Sequence, residues 1–231
     1  MYDQATEVGD SKAEIAAFAS TYDGSDYTIK NVKIESSAEC VGLFGITSGA
    51  KMSNIVLYAD NEDAGQVISN SRGVVEWYCV GGLVGFAGSR GDGESQFENC
   101  TVSGYTIRDQ RTVKPGWGGG CVGGLVGATN MNLSKCSAVT TIVLDLTYNE
   151  ADQNCRVGGL VGAGKGTITN CYAGGEIKAG TKLTSGNGGT RVWIGGIVGG
   201  IVLRNTGTLQ QIIGATSGKV MTVSNSYSYV Q

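Results

Sequence analysis

Histidine is absent from this 231-residue chain, and proline occurs once, at Pro115. Without histidine there is no ordinary general base, no Ser-His or Cys-His nucleophile pair, and little prospect of a zinc centre. Charge is also sparse: 16% of residues are charged, the formal net charge is −3, and no basic run occurs. That balance argues against nucleic acid as a partner. No stretch of 18 apolar residues occurs, so no membrane-inserting helix is expected, and the first thirty residues lack the basic, apolar, small-residue order of a signal peptide. The seven cysteines, at positions 40, 79, 100, 121, 136, 155 and 171, are odd in number and contain no C-x-x-C. Their spacing signals neither a disulfide framework nor a zinc knuckle.

What the chain has in excess is glycine, at 39 residues, without the triplet period of collagen. The glycines recur in a motif, Val157-Gly-Gly-Leu-Val-Gly162, with copies at Val80 to Gly85, Val122 to Gly127, Ile194 to Gly199 and, one glycine short, Val41 to Gly45. The closing glycines, Gly45, Gly85, Gly127, Gly162 and Gly199, are 40, 42, 35 and 37 residues apart. Such a period belongs to a solenoid or a propeller.

A second block alternates with the first: Ile29 to Ile34, Met52 to Leu57, Phe97 to Val102, Leu133 to Ala138, Ile168 to Ala173 and Val223 to Ser228. Its apolar residues alternate as in a strand, without helical spacing. Stacked by register, the blocks predict a column Asn31, Asn54, Asn99, Asn170 and Asn225, interrupted by Lys135, and a buried column of small residues holding Cys100, Cys136 and Cys171. A propeller would show four strand signals per repeat, and only two or three are readable. The expected fold is therefore all-β, a parallel β-solenoid (β-helix) of about five to six coils with a short N-terminal capping helix. The helix is placed at residues 12 to 20, where Ser11 and Glu14 form a capping box. Residues 1–22 make the cap and 23–231 one elongated repeat domain, whose last coil carries an insertion at 200–222. The intervals Ala59 to Gly73, Arg108 to Gly120, Asp145 to Asn154 and Lys178 to Arg191 read as surface loops.

Val157 to Ile177 resembles the unit of GLUG-repeat proteins, G-G-L-V-G followed by I-x-N-C-Y-A. Asp23 to Ile34 followed by Val41 to Gly45 is similar to the lead-in that often precedes such units. The resemblance runs from Asp23 to the C-terminus. It implies a bacterial extracellular protein, commonly an adhesin-like surface protein of gut commensals; similar repeats also accompany catalytic domains such as IgA-cleaving metalloproteases.

Catalysis without histidine would need paired carboxylates, and the acidic residues here occupy unlike positions in different repeats. Gly159 to Gly166 resembles a phosphate loop, but Gly166 stands where Ser or Thr must hold magnesium. No enzyme activity and no cofactor are expected, with calcium raised only by Asp60-Asn-Glu-Asp63 and Asp92-Gly-Glu94, which fall short of six ligands. Candidate ligand-binding residues are Arg90 and Asp92, an Arg-Gly-Asp triplet in a glycine-rich loop, and Trp77, Trp117 and Trp193, each shortly before a glycine block. The expected function is a non-catalytic binding or structural module that recognises a host or bacterial surface protein or glycan. End-to-end stacking of copies and an accessory role beside an enzyme are the alternatives.

Overall fold

The computed structural model describes residues 17–70, 77–88, 96–113, 119–130, 132–145, 147–148, 154–179, 191–200 and 221–231. Among them every regular element is a β-strand, and the strands pair in parallel with the equivalent strand of the next repeat. One sheet stacks Cys40–Val41, Trp77–Gly81, Gly119–Gly123, Asn154–Gly158 and Arg191–Gly195. A second stacks Phe44–Ser48, Val84–Gly88, Val126–Thr129, Val161–Gly164 and Val198–Gly200. The third, of twelve strands, is built on Lys51–Tyr58, Gln96–Asp109, Ser137–Leu144, Tyr172–Ala179 and Tyr227–Val230. The chain is an all-β, all-parallel, β-helix-like fold.

The glycine motif turns the corner between the first two sheets. A β-carbon on Gly81, Gly123 or Gly158 would strike the carbonyl oxygen of Val84, Val126 or Val161, within the same corner. One on Gly85, Gly127 or Gly162 would strike the backbone nitrogen of Val41, Val80 or Val122, one repeat earlier. None of these six glycines has a left-handed φ. They are glycines because two chains pass too closely for a side chain, not because the dihedrals require it.

Elsewhere the dihedrals do decide. Asn54, Asn99, Lys135, Asn170 and Asn225 stand in one column, each left-handed with φ between 47° and 54°. Asparagine tolerates that conformation and can bond along the column; Asn99 Nδ2 donates to Asn54 Oδ1 at 2.9 Å, and Asn54 Nδ2 to Asp23 Oδ1 at 3.1 Å. Just inside this bend lies the predicted thiol column, Cys100, Cys136 and Cys171, all buried. Each sulfur donates to the carbonyl two residues back, Glu98, Ser134 or Thr169, at 3.2 to 3.4 Å. In the last repeat Ser226 takes over the bond, its hydroxyl donating to Ser224 O at 2.8 Å.

The core fills the space between the sheets with in-register columns: Met52, Phe97, Leu133 and Ile168; Leu57, Val102, Ala138 and Ala173; Val80, Val122 and Val157; Leu83, Leu125 and Leu160. Each fully buried Leu, Ile or Phe contributes on the order of 1.5–3 kcal/mol of transfer free energy.

Three expectations need correction. Asn31 does not join the asparagine column. The lead-in turns the first bend earlier, with Ser25 and Asp26 both left-handed, so that Tyr22 pairs with Met52 and Ile29 with Leu57. Asn31, left-handed at φ 54°, marks a second bend. There its Nδ2 donates to Asp60 Oδ2 at 2.7 Å and its Oδ1 accepts from the Asp60 amide at 3.0 Å. Ile34 accordingly belongs with Val67, Ile107, Ile142 and Ile177. Second, the helix placed at 12 to 20 falls mainly outside the described residues; over 17–20 the chain is not helical, and Phe18 makes a parallel bridge to Thr47. The side chain of Phe18 packs on Phe44, 5.3 Å between ring centres, which draws this segment onto the sheet. Third, parts of the expected loops are strands: Gln66–Ser69 and Arg108 to Asp109 continue the large sheet, and Thr112–Val113 pairs with Thr147–Tyr148.

Candidate functional site

The residues singled out for binding are not drawn into one site. Arg90, Asp92 and Trp117 lie outside the described residues, as does Glu94. Trp77 opens the strand Trp77–Gly81, its backbone in register with Gly119. Trp193 is in register with Arg156 and stands two positions further along the equivalent strand. The two tryptophans therefore occupy different columns of the same sheet. Trp193 is 38% exposed, and the Arg156 guanidinium lies 4.9 Å from its ring centre, a cation stacked on an indole face.

Among the described residues the exposed aromatics lie toward the two ends of the stack, Tyr27 and Tyr58 at one and Trp193, Tyr227 and Tyr229 at the other. Tyr227 and Tyr229 are both exposed and, two residues apart on one strand, share a face of the large sheet. Tyr227 stacks on Tyr172 of the preceding repeat, ring centres 5.6 Å apart and planes 9° from parallel. The ring of Tyr229 lies over Gly174, where a side chain would collide with it. Flat apolar rings with polar tips suit sugar or protein ligands.

The acidic stretch Asp60 to Asp63 is engaged in local structure. Asp60 accepts from Lys30 Nζ at 3.4 Å and from Asn31, Asn61 Oδ1 accepts from the amides of Asp63 and Ala64, and Glu62 accepts from Thr141 Oγ1 at 2.7 Å. Among the described residues no three of the Cys, Asp and Glu side chains are grouped to hold a metal ion.

A buried polar centre, missed in the sequence, lies where the large sheet gives way to the first. Arg111 is fully buried and Asp109 beside it equally so, Nε to Oδ1 3.5 Å. Arg111 also donates to Ser69 Oγ through Nε, to Ala38 O at 3.0 Å through Nη2, and to Glu39 O at 3.4 Å through Nη1. Its guanidinium sits 4.3 Å from the ring centre of Tyr78, whose hydroxyl donates to Cys155 Sγ at 3.8 Å. Burial pushes the Asp109 carboxyl up to about 6, against the pull of Arg111 and Tyr78. Burial, with the Asp109 charge adding to it, pushes the Cys155 thiol well above its ordinary value, so it is no nucleophile. With these atoms enclosed, the centre ties three repeats together and presents nothing to a substrate.

A second thiol column was also missed. Cys40, Cys79 and Cys121 stand in register in the first sheet, continued by Arg156 and Trp193. With Phe86, Ala128, Ala163 and Ile46 they form a small apolar cluster apart from the main core. Reading the residue before each Val or Ile that opens a glycine motif finds this column directly.

Two segments of the chain, 78–108 and 153–178, match the GLUG motif family. No curated protein and no solved structure matches the sequence. Each matched segment contains one glycine corner and one Asn-Cys bend, and the remaining corners and bends stack on them in register. The chain carries the GLUG motif in these two repeats, within a stack of like repeats.

Proposed function

We propose that this protein is a non-catalytic extracellular binding module, adhesin-like, built as a β-solenoid of about five to six coils. The observation that carries this reading is the division of labour along each repeat. The repeating residues are consumed by corners, bends and core, and among the described residues the exposed aromatics lie toward the two ends of the stack, Tyr27 and Tyr58 at the first and Trp193, Tyr227 and Tyr229 at the last. Its ligand is a surface protein or glycan of a host or bacterial cell. Binding of the chain to arrayed glycans and to immobilised cell-surface proteins tests it. Trp193→Ala and Tyr227→Ala are expected to weaken a detected interaction at least about tenfold, the range of an aromatic contact residue. Unchanged affinity in both variants with the fold intact, or turnover of the bound molecule, sinks the reading.

One observation favours a second reading, end-to-end stacking of copies. Ile194 and Val223 continue core columns, yet they are 56% and 46% exposed, whereas Val157 and Ile168, one repeat earlier, are fully buried. Light scattering of the chain at increasing concentration tests this reading.

A further inference from the structure

The two ends of the stack are finished differently. At the first repeat the core columns are closed or nearly so: Val41 is 1% exposed, and Tyr22 and Ile29 are half-buried. Phe18 pairs along the outer edge of Phe44–Ser48, its amide donating to Ile46 O at 3.0 Å and its carbonyl accepting from the Ser48 amide at 2.9 Å. At the last repeat the same columns stand open. Ile194, in the column of Val41, is 56% exposed; Val223, in the column of Tyr22, is 46% exposed; and Ser228, in the column of Ile29, is exposed as well. Among the described residues, Arg191–Gly195, Val198–Gly200, Met221–Ser224 and Tyr227–Val230 each have a paired strand on one side only.

A free strand edge invites pairing with another chain, and charged side chains or proline are the usual guard against it. The first repeat carries that guard along its strands: Asp23, Lys30, Lys33 and Glu35 are all exposed. Residues 192–200 and 221–231 contain no Asp, Glu, Lys, Arg or Pro.

We propose that the last repeat is a self-association surface whose partner is the last repeat of a second copy, the two chains meeting tail to tail about a two-fold axis. The inference rests on the end-to-end reading and narrows it to one geometry. Head-to-tail contact would press Asp23, Lys30, Lys33 and Glu35 onto an edge that offers them no counter-charge, at a cost in desolvation. Tail to tail, uncharged meets uncharged, and one patch serves both copies, as an isologous interface requires. With the two-fold axis normal to the large sheet, Met221–Ser224 and Tyr227–Val230 meet their counterparts antiparallel, a pairing that strand edges accept. The sheet then runs on from one copy into the other, and Ile194 and Val223 are shut in between two cores. The contact uses up the unguarded end of both copies, so assembly stops at two.

Sedimentation velocity of the chain over a concentration series tests this, with circular dichroism and urea midpoints confirming the fold of every variant. The mass is expected to rise from one chain to a plateau at two. Val223→Lys and Ser228→Lys, both at positions exposed in the single chain, are each expected to weaken the dimer at least about tenfold by trapping a charge at the junction. Thr28→Lys, exposed at the first repeat, is expected to leave it unchanged. A mass that climbs past two chains overturns the tail-to-tail contact and leaves the end-to-end reading standing; a single chain at every concentration overturns both. A dimer that survives folded Val223→Lys and Ser228→Lys, or that Thr28→Lys weakens as much as they do, also overturns the proposal.

Discussion

At the scale of single residues, the asparagine column shows how one dihedral selects a residue type. A left-handed backbone costs an ordinary side chain roughly 1–2 kcal/mol and asparagine less. Lys135 bears that cost at φ 53°, interrupts the amide ladder, and recovers only an ion pair to Glu98 at 2.9 Å whose partners are 63% and 56% exposed. Such a pair is worth about 1 kcal/mol at most. Lys135→Asn is therefore expected to raise stability by about 1 kcal/mol, seen as a higher urea midpoint with an unchanged slope. Asp109 gives the second prediction. Its carboxyl is raised from 3.8 to about 6 by burial, so the fold favours its protonated form. The contribution is complete below about pH 4 and is lost as pH rises through about 6, on the order of 3 kcal/mol in all. Asp23 and Asp60, lowered by hydrogen bonds from Ser25 and from Asn31 respectively, act the opposite way and lose their contribution as pH falls below the usual aspartate range. Unfolding midpoints of Asp109→Asn are expected to lack the decline between pH 4 and 6 that the parent chain shows.

At the scale of elements, strands and corners were legible because each repeats several times at a constant offset. A residue type that recurs in a ladder reports a shared environment: glycine where chains touch, asparagine where φ is positive, cysteine where a small buried side chain fits. The misplaced first block shows the limit. Ile29 to Ile34 has the pattern of the other blocks, but its Asn31 serves a different bend, one at which two later repeats use Gly104 and Gly175, both with positive φ, and the repeat between them uses Thr140. Two left-handed bends look alike in sequence when asparagine can make either. The buried centre around Arg111 and Asp109 was hidden for another reason: it lies in a stretch that does not repeat, so no column exposes it, and a charged pair in such a stretch reads as loop surface. The candidate binding residues were the least legible: Arg90, Asp92 and Trp117 fall in intervals that do not repeat, and Trp77 and Trp193 occupy different columns, so no ladder singles them out.

At the scale of the whole molecule, each repeat touches mainly its neighbours, and stability is close to a sum over repeats and the junctions between them. The position of a residue along the stack then matters as much as its column. Ile168→Lys places an unpaired charge in a filled core and is expected to abolish folding. Val223→Lys, one repeat later and 46% exposed, is expected to cost less than about 1 kcal/mol. On the end-to-end reading, the double variant Ile194→Lys, Val223→Lys stays folded and is monomeric at concentrations where the parent chain associates; equal association of the two ends that reading. The column that runs Cys40, Cys79, Cys121, Arg156, Trp193 has a further meaning here. Rungs that resemble one another so closely leave a folding chain with a counting problem, because pairing one rung too far along would bury much the same apolar surface. A column whose residue changes from thiol to guanidinium to indole works as an address: a slip of one rung would bury Arg156 against Cys79 and separate it from Trp193, so the irregular positions keep count for the regular ones.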